Sequence, residues 1–182
     1  RDKLAMRLKA KAAGVPVPAF TAVFNDEMVN EFVQSTPTPW MLKPRGEASA
    51  TGISKISDAA TLWQKLHELG DERHNYLLEQ FIPGQVFHMD SIVQNGMVAF
   101  VRCSQYLSTP FEVAHGGGIF RSVTMDHNSK DNLALEALNE KVVSSFNLQY
   151  SATHTEALKS NEDGQFYFLE TSARVGGAHI AE

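Results

Sequence analysis

Asn95-Gly96 stands between two long stretches of strand-like sequence, and that placement constrains the fold more than any other feature of the chain. Val86 to Val93 alternate with the period of a strand. Asn-Gly is the pair preferred by a two-residue type I′ turn, whose central residues both take positive φ. Met97 to Tyr106 is therefore expected to return antiparallel. A second hairpin is expected at the end of the chain, where Thr153 to Ser160 and Gln165 to Arg174 flank Asn161-Glu162-Asp163-Gly164. Hairpins of this kind do not belong to a sheet of strand-helix-strand crossovers, so the class is read as α+β with antiparallel sheet rather than doubly wound.

The remaining elements follow from periodicity and punctuation. Residues 2 to 13 place Leu4, Leu8 and Ala12 at helical spacing, with Gly14 as a left-handed cap. Pro16 and Pro18 enforce extended chain into Phe20 and Ala22. A helix is expected from Asp26 to Gln34, and then a buried strand, Trp40 to Pro44, that runs into the small-residue loop Arg45 to Gly52 and returns through Ile53 to Ile56. Asp58 caps a helix with Leu62, Leu66 and Leu69 on one stripe, ended by Gly70. Tyr76 to Ile82 reads as a strand stopped by Pro83-Gly84, and Ser129 and Asp131 open the longest helix, which buries Leu135, Leu138, Val142 and Phe146. The natural division falls near Ile82 to Gly84. It gives residues 1–82 and 83–182 as two lobes, each with antiparallel sheet and helices, and a cleft between them.

Composition narrows the function classes. With 182 residues, 43% of them hydrophobic and 20% charged, the chain reads as a compact globular unit rather than a tail or an array. Sixteen Lys and Arg against 21 Asp and Glu give a formal charge of -5, so no basic field exists to hold nucleic acid or an anionic membrane. Apolar runs such as Met97 to Val101 fall far short of the roughly 20 residues that span a bilayer. Cys103 is the single cysteine, which excludes an intrachain disulfide and a cysteine zinc cluster and suits a reducing, cytoplasmic compartment. Its apolar surroundings make it a poor nucleophile. The chain begins at Arg1 without Met and reads as part of a longer protein.

Three constellations carry chemistry. Lys43 is delivered by a strand to the mouth of a loop of small residues, Arg45 to Gly52, where backbone N–H groups could approach phosphate while the ammonium adds a point charge. A solvated lysine beside a flexible hairpin remains the alternative. Glu170, Ser172 and Arg174 share one face of a strand, with Glu156 on its partner; two carboxylates and a hydroxyl suit Mg²⁺ between phosphates. Placing Glu156 opposite Glu170 requires Ser160 to pair with Phe166 around a five-residue turn, and Phe166 and Phe168 on that same face would then cover it. An exposed polar face is the alternative. Glu79-Gln80-Phe81-Ile82, at a strand end, could offer backbone groups to an adenine edge between apolar walls. His88 and Asp90 share a face of the next strand and could touch ribose or substrate, or simply satisfy each other. His115 among glycines fits a loop near substrate or a plain surface loop. His154 shares a face with Glu156 and fits either a metal or phosphate contact or cross-strand pairing.

In order along the chain, Asp2-Lys3, Gly14-Val15-Pro16-Val17-Pro18, Lys43-Pro44, Glu79-Gln80-Phe81-Ile82 and Glu170-Thr171-Ser172-Ala173-Arg174 resemble the ATP-grasp superfamily over essentially the whole sequence. The resemblance implies two α+β lobes that clasp ATP and activate a carboxylate as an acylphosphate for attack by an amine or similar nucleophile. It implies that Lys3 and Lys43 contact the phosphates under the loop containing Ser49, and that Glu79, Gln80, Phe81 and Ile82 hold adenine. Glu156, Glu170 and Ser172 match the Mg²⁺ ligands, with Mn²⁺ an alternative, and Arg174 matches the arginine that faces the substrate carboxylate or acylphosphate. Ser172 stands where the family often has Asn. Val86 stands near the place of a ribose-binding Glu, a role left to Gln85, His88 or Asp90. The run from Arg174 to Gly177 resembles the branch that joins amino acids. Small-molecule carboxylates and amines are the implied substrates, and a homodimer would form through regions outside this segment. The alternative is a nucleotide-binding or scaffold module of the same fold that has lost turnover.

Overall fold

The computed structural model describes residues 2–47 and 50–177. They form two compact units, residues 1–7 with 18–82 and residues 8–17 with 83–182. The sequence reading put residues 8–17 in the first part. They group with the second because the Phe168 amide donates to the Pro16 carbonyl at 2.8 Å and the Lys9 ammonium lies 5.3 Å from the centre of the Phe146 ring.

Helix α1 (Lys3–Ala12) has its first half in the first unit, which continues with β1 (Phe20–Ala22) and α2 (Asp26–Ser35). The unit then runs through β2 (Trp40–Pro44), β3 (Ser54–Ile56), α3 (Ala59–Leu69), a 3₁₀ turn over Gly70–Asn75, and β4 (Tyr76–Gln80). The strands make an antiparallel sheet in the order β1-β4-β2-β3. Asn25 and Asp58 start α2 and α3 by accepting from the Met28 and Thr61 amides, Asp58 as the sequence placed it and Asn25 directly before the expected start at Asp26. One sheet face, with Trp40, Leu42, Ile56 and Leu78, packs on Val29 and Phe32 of α2 and Leu62 and Leu66 of α3. The other face carries Ala22 and Leu77 against Leu4 of α1. Helix α1 corrects one expectation: Leu8 is exposed, and the buried side runs through Leu4, Arg7 and Ala10. A buried carboxylate on the sheet draws Arg7 inward, and that outweighs the apolar spacing of Leu4, Leu8 and Ala12. Strand β4 ends at Gln80, two residues short of the expected Ile82.

The second unit contains β5 (Gly84–Gln94), β6 (Met97–Tyr106), α4 (Pro110–Gly116), β7 (Ser122–Thr124), α5 (Lys130–Ser145), β8 (Tyr150–Ser160) and β9 (Phe166–Ser172). The sheet is antiparallel in the order β7-β6-β5-β8-β9. Asn95 at φ +53° and Gly96 at φ +75° make the turn between β5 and β6 that their identities prefer. Helix α5 covers the face that holds Phe87, Met89, Cys103, Ala157 and Phe168. Asn139 donates to Ser91 at 3.0 Å, and Phe146 lies against Phe168 with ring centres 5.8 Å apart. Strand β7 and helix α4 were not expected. Helix α4 is built by a reciprocal cap, Thr109 with Glu112, and Pro110 in its first turn. His115 ends this helix with its ring 4.2 Å from that of Phe111, instead of lying on a loop.

The terminal hairpin reaches the expected pair by a different route. Glu156 does face Glu170, but Lys159, not Ser160, pairs with Phe166, and the register shifts between Glu156 and Ala157. Leu169 is the extra residue of a β-bulge. Paired residues share a face, so the bulge puts Phe166 and Phe168 on the α5 side with Ala157 and Lys159, while Glu170 and Ser172 lie on the opposite side with Glu156 and His154. The two phenylalanines therefore do not cover the carboxylates.

Gly84 opens β5 where a Cβ would lie 2.1 Å from the Lys159 carbonyl oxygen, and backbone at that point cannot give way cheaply. Gly84→Ala is expected to destabilise the second unit by about 3 kcal/mol, the upper range for overpacking. Urea unfolding followed by far-UV circular dichroism checks this; an unchanged midpoint would sink the idea.

Candidate functional site

In the first unit the register sets Met41 opposite Glu79 and Lys43 opposite Leu77, so Lys43 and Glu79 are diagonal neighbours on the face that α1 covers. Glu79 is buried, and its carboxylate accepts from Arg7 Nε at 2.9 Å and from Lys43 Nζ at 2.6 Å. Burial pushes the Glu79 carboxyl up, but Arg7 and Lys43 together outweigh it and hold the group below its ordinary value. The trio carries one net positive charge. The Lys43 side chain keeps 13% of its surface exposed against 1% for Arg7, so Lys43 is the member that solvent or a ligand can reach. Lys3 is also buried, and its ammonium donates to the Glu47 carbonyl at the start of the small-residue loop. Ser49, assigned to that loop, lies outside the described residues. Gln80 is half-buried and Ile82 buried; the Phe81 amide donates to the Pro39 carbonyl at 3.1 Å, and the Lys55 ammonium sits 3.7 Å above the Phe81 ring.

In the second unit the sheet face opposite α5 carries a connected set of polar side chains. His88 faces Glu156 and Asp90 faces His154 across β5 and β8; Glu156 faces Glu170 and His154 faces Ser172 across β8 and β9. Asp90 accepts from Nδ1 of His88 at 2.6 Å and from Nδ1 of His154 at 2.8 Å, one imidazole on each oxygen. His154 Nε2 lies 3.5 Å from Glu156 Oε1, and the Tyr106 hydroxyl donates to that same oxygen at 3.0 Å. His88 is fully buried and its Nε2 has no hydrogen-bond partner among the described residues, while each Asp90 oxygen is engaged by an imidazole.

The electrostatics follow from the contacts. Burial raises the Asp90 carboxyl, but the hydrogen bonds from His154 and His88 overcome it and bring the group down to about 2. Burial lowers His154, but Asp90 and Glu156 on either side carry it up to about 9, so it stands as an imidazolium between two carboxylates. Glu156 is pushed up by burial and held below its ordinary value by His154 and Tyr106. Tyr106 is driven far above the ordinary phenol range by burial and by Glu156, so its hydroxyl stays a donor. Cys103, on the α5 side, is pushed by burial up to about 12, which removes it as a nucleophile.

Two donor sets could hold a metal. His88, Asp90 and His154 bring three donor atoms within 4.8 Å of one another, yet each Asp90 oxygen already takes an imidazole N–H, so the trio reads as hydrogen-bonded support. Glu156, Glu170 and Ser172 offer oxygen alone, which is the donor chemistry of a hard divalent cation. Like charges directly opposite in a sheet repel, and a cation reconciles Glu156 with Glu170. This set therefore fits Mg²⁺. Arg174, two residues beyond Ser172, is exposed and donates to the Val175 carbonyl at 2.6 Å. Sequence reasoning missed Arg7 and Tyr106: Arg7 is one basic residue among several on α1, and Tyr106 lies two strands from Glu156.

Comparison with known proteins decides the family. The family model described as the ATP-grasp domain matches residues 1–178. The chain belongs to the ATP-grasp family. This ATP-grasp chain is 25% identical over 186 residues to an L-arginine-specific L-amino acid ligase of Bacillus subtilis, covering 99% of this chain and 44% of that protein. The crystal structure of an L-amino acid ligase from Bacillus licheniformis superposes with a TM-score of 0.70 at 21% identity, covering 98% of this chain and 41% of the other. N5-carboxyaminoimidazole synthetase from Staphylococcus aureus, solved in complex with ADP, gives 0.76 at 16% identity, covering 97% and 45%. The ATP-grasp chain thus spans less than half the length of each. Among the described residues no helix is long and apolar enough to cross a membrane.

Because folded Glu79 ionises at lower pH than it would in the unfolded chain, its clamp contributes stability above the ordinary value of 4.5 and loses it as pH falls through the folded value. Glu79→Gln leaves Arg7 and Lys43 without their counter-charge and is expected to cost about 3 kcal/mol near neutrality. Its stability should also fall less steeply in acid than that of the parent. Urea midpoints between about pH 7 and about pH 3 test this, and parallel acid limbs would count against the clamp.

Proposed function

We propose that this chain is the nucleotide- and metal-handling part of an ATP-dependent ligase that joins a small-molecule carboxylate to an amine. The observation that carries the reading is the all-oxygen set Glu156, Glu170 and Ser172, gathered on one sheet face of an ATP-grasp chain. The L-amino acid ligase relative supports amino acids as the substrate class, and a lone cysteine suits a reducing, cytoplasmic setting.

The reaction runs in two displacements. A carboxylate oxygen of the substrate attacks the γ-phosphorus of ATP, the bond to the β-phosphate oxygen breaks, and ADP leaves. The amine nitrogen then adds to the acylphosphate carbonyl, the carbon–oxygen bond to phosphate breaks, and the nitrogen gives up a proton. Both steps depend on positioning and charge neutralisation more than on a nucleophilic side chain. Mg²⁺ or Mn²⁺, held by Glu156, Glu170 and Ser172, would neutralise phosphate charge when bound. Lys43, oriented by Glu79, presents its ammonium to the phosphates, a role shared with Lys3 and Ser49. Gln80, Phe81 and Ile82 line the adenine, and Arg174 pairs with the substrate carboxylate.

Arg174→Ala is expected to slow ADP release in the presence of an amino-acid pair by about 10²-fold, the scale of losing one charge-stabilising donor, with ATP affinity little changed. Glu170→Gln should instead weaken binding of Mg·ATP. Coupled ADP assays and calorimetry on this chain separate the two, and ATP turnover indifferent to both substitutions would refute the reading.

A further inference from the structure

We propose that Tyr106 and His154, with Asp90 behind His154, are positioning residues that decide which oxygen of Glu156 is presented to a divalent cation. The inference rests on the metal role proposed above for Glu156. Its basis is a geometric asymmetry: among the described residues, the two side chains that touch the Glu156 carboxylate both touch Oε1, Tyr106 at 3.0 Å and His154 at 3.5 Å. Oε2 is left as the oxygen turned to a ligand, on a side chain that keeps 16% of its surface exposed.

The two contacts come from opposite directions. Tyr106 reaches over from β6 across β5, while His154 lies on the same strand as Glu156, so rotating the carboxylate would break both contacts at once. His154 is in turn held by Asp90, and Asp90 by His88. The set closes on itself, since the His88 and Tyr106 rings lie 4.8 Å apart. Gly176 seals the far side. A Cβ there would lie 2.9 Å from His154 Nδ1 and 3.1 Å from Asp90 Oδ1, so the chain after β9 lies directly on the Asp90–His154 bond. A glutamate on an open strand face samples several rotamers and pays to settle into one when it takes a cation. Here the settling is already done, which is how hydrogen-bonded carboxylate ligands generally gain affinity.

The test is Mn²⁺ binding to this chain in the presence of ADP, read from the Mn²⁺ electron paramagnetic resonance signal. The set comprises the parent, Glu156→Gln, Tyr106→Phe and His154→Gln, with metal-free ADP affinity measured alongside. Tyr106→Phe removes a single oxygen and is expected to weaken Mn²⁺ about tenfold, as losses behind a ligand commonly do, and to alter the bound spectrum. Its metal-free ADP affinity should match the parent, and His154→Gln should weaken Mn²⁺ as well. If Glu156→Gln loses Mn²⁺ while Tyr106→Phe and His154→Gln bind it like the parent, positioning is overturned and the metal role stands. If Glu156→Gln binds Mn²⁺ like the parent, the metal role itself is wrong and this inference goes with it. A parallel loss of metal-free ADP affinity in Tyr106→Phe also overturns positioning, because the hydroxyl would then be supporting the unit as a whole.

Discussion

Strand β5 pairs with β8 along its whole length, from Gly84 opposite Ser160 to Gln94 opposite Tyr150, and the second unit depends on that ladder. It places His88 beside Glu156 and Asp90 beside His154, so the polar set is assembled by backbone hydrogen bonds before any side chain interacts. The same pleat turns Phe87, Met89 and Ala157 to the other side, where α5 buries them. One face can thus be apolar and the other chemical without compromise, since alternate residues of the same strands serve each. Gly84 at the first pair lets the two backbones meet at the distance the ladder needs.

The first unit solves a related problem with charge. The Glu79 carboxylate and the Lys43 ammonium lie on the sheet face that carries Ala22 and Leu77, and the Arg7 guanidinium reaches them from α1, which also buries Leu4 there. Taking such groups out of water is costly, and the cost is met only when the geometry is close and the charges nearly balance. Glu79 meets that condition with a bond to each cation. What remains is a single positive charge whose accessible end is Lys43, held by Glu79 in one position instead of swinging on a free four-carbon arm.

Much of this was legible in the sequence. Asn95-Gly96, the capping residue Asp58, and the prolines of the early extended segment give local signals strong enough to survive packing, and the elements they mark formed within a few residues of expectation. The pairing of Glu156 with Glu170 was also foreseen, by a register argument that was wrong in its path. A bulge answers to tertiary fit and leaves no composition signal, so Leu169 could not be picked out. Arg7 and Tyr106 were hidden for the same reason: each acts on a residue distant in sequence, Glu79 and Glu156, and nothing local distinguishes them. Helix α4 was different. Thr109-Pro110-Phe111-Glu112 spells a reciprocal cap, and the glycines after it drew attention away.

The extra residue in β9 sits between the turn and the carboxylate: Leu169 falls between the Phe168–Ala157 pair and the Glu170–Glu156 pair, so the ladder widens by one residue just before Glu170. Removing Leu169 would let those same pairs meet in regular register, with Glu170 still opposite Glu156, so what the extra residue contributes is the local bend and twist with which β9 presents Glu170.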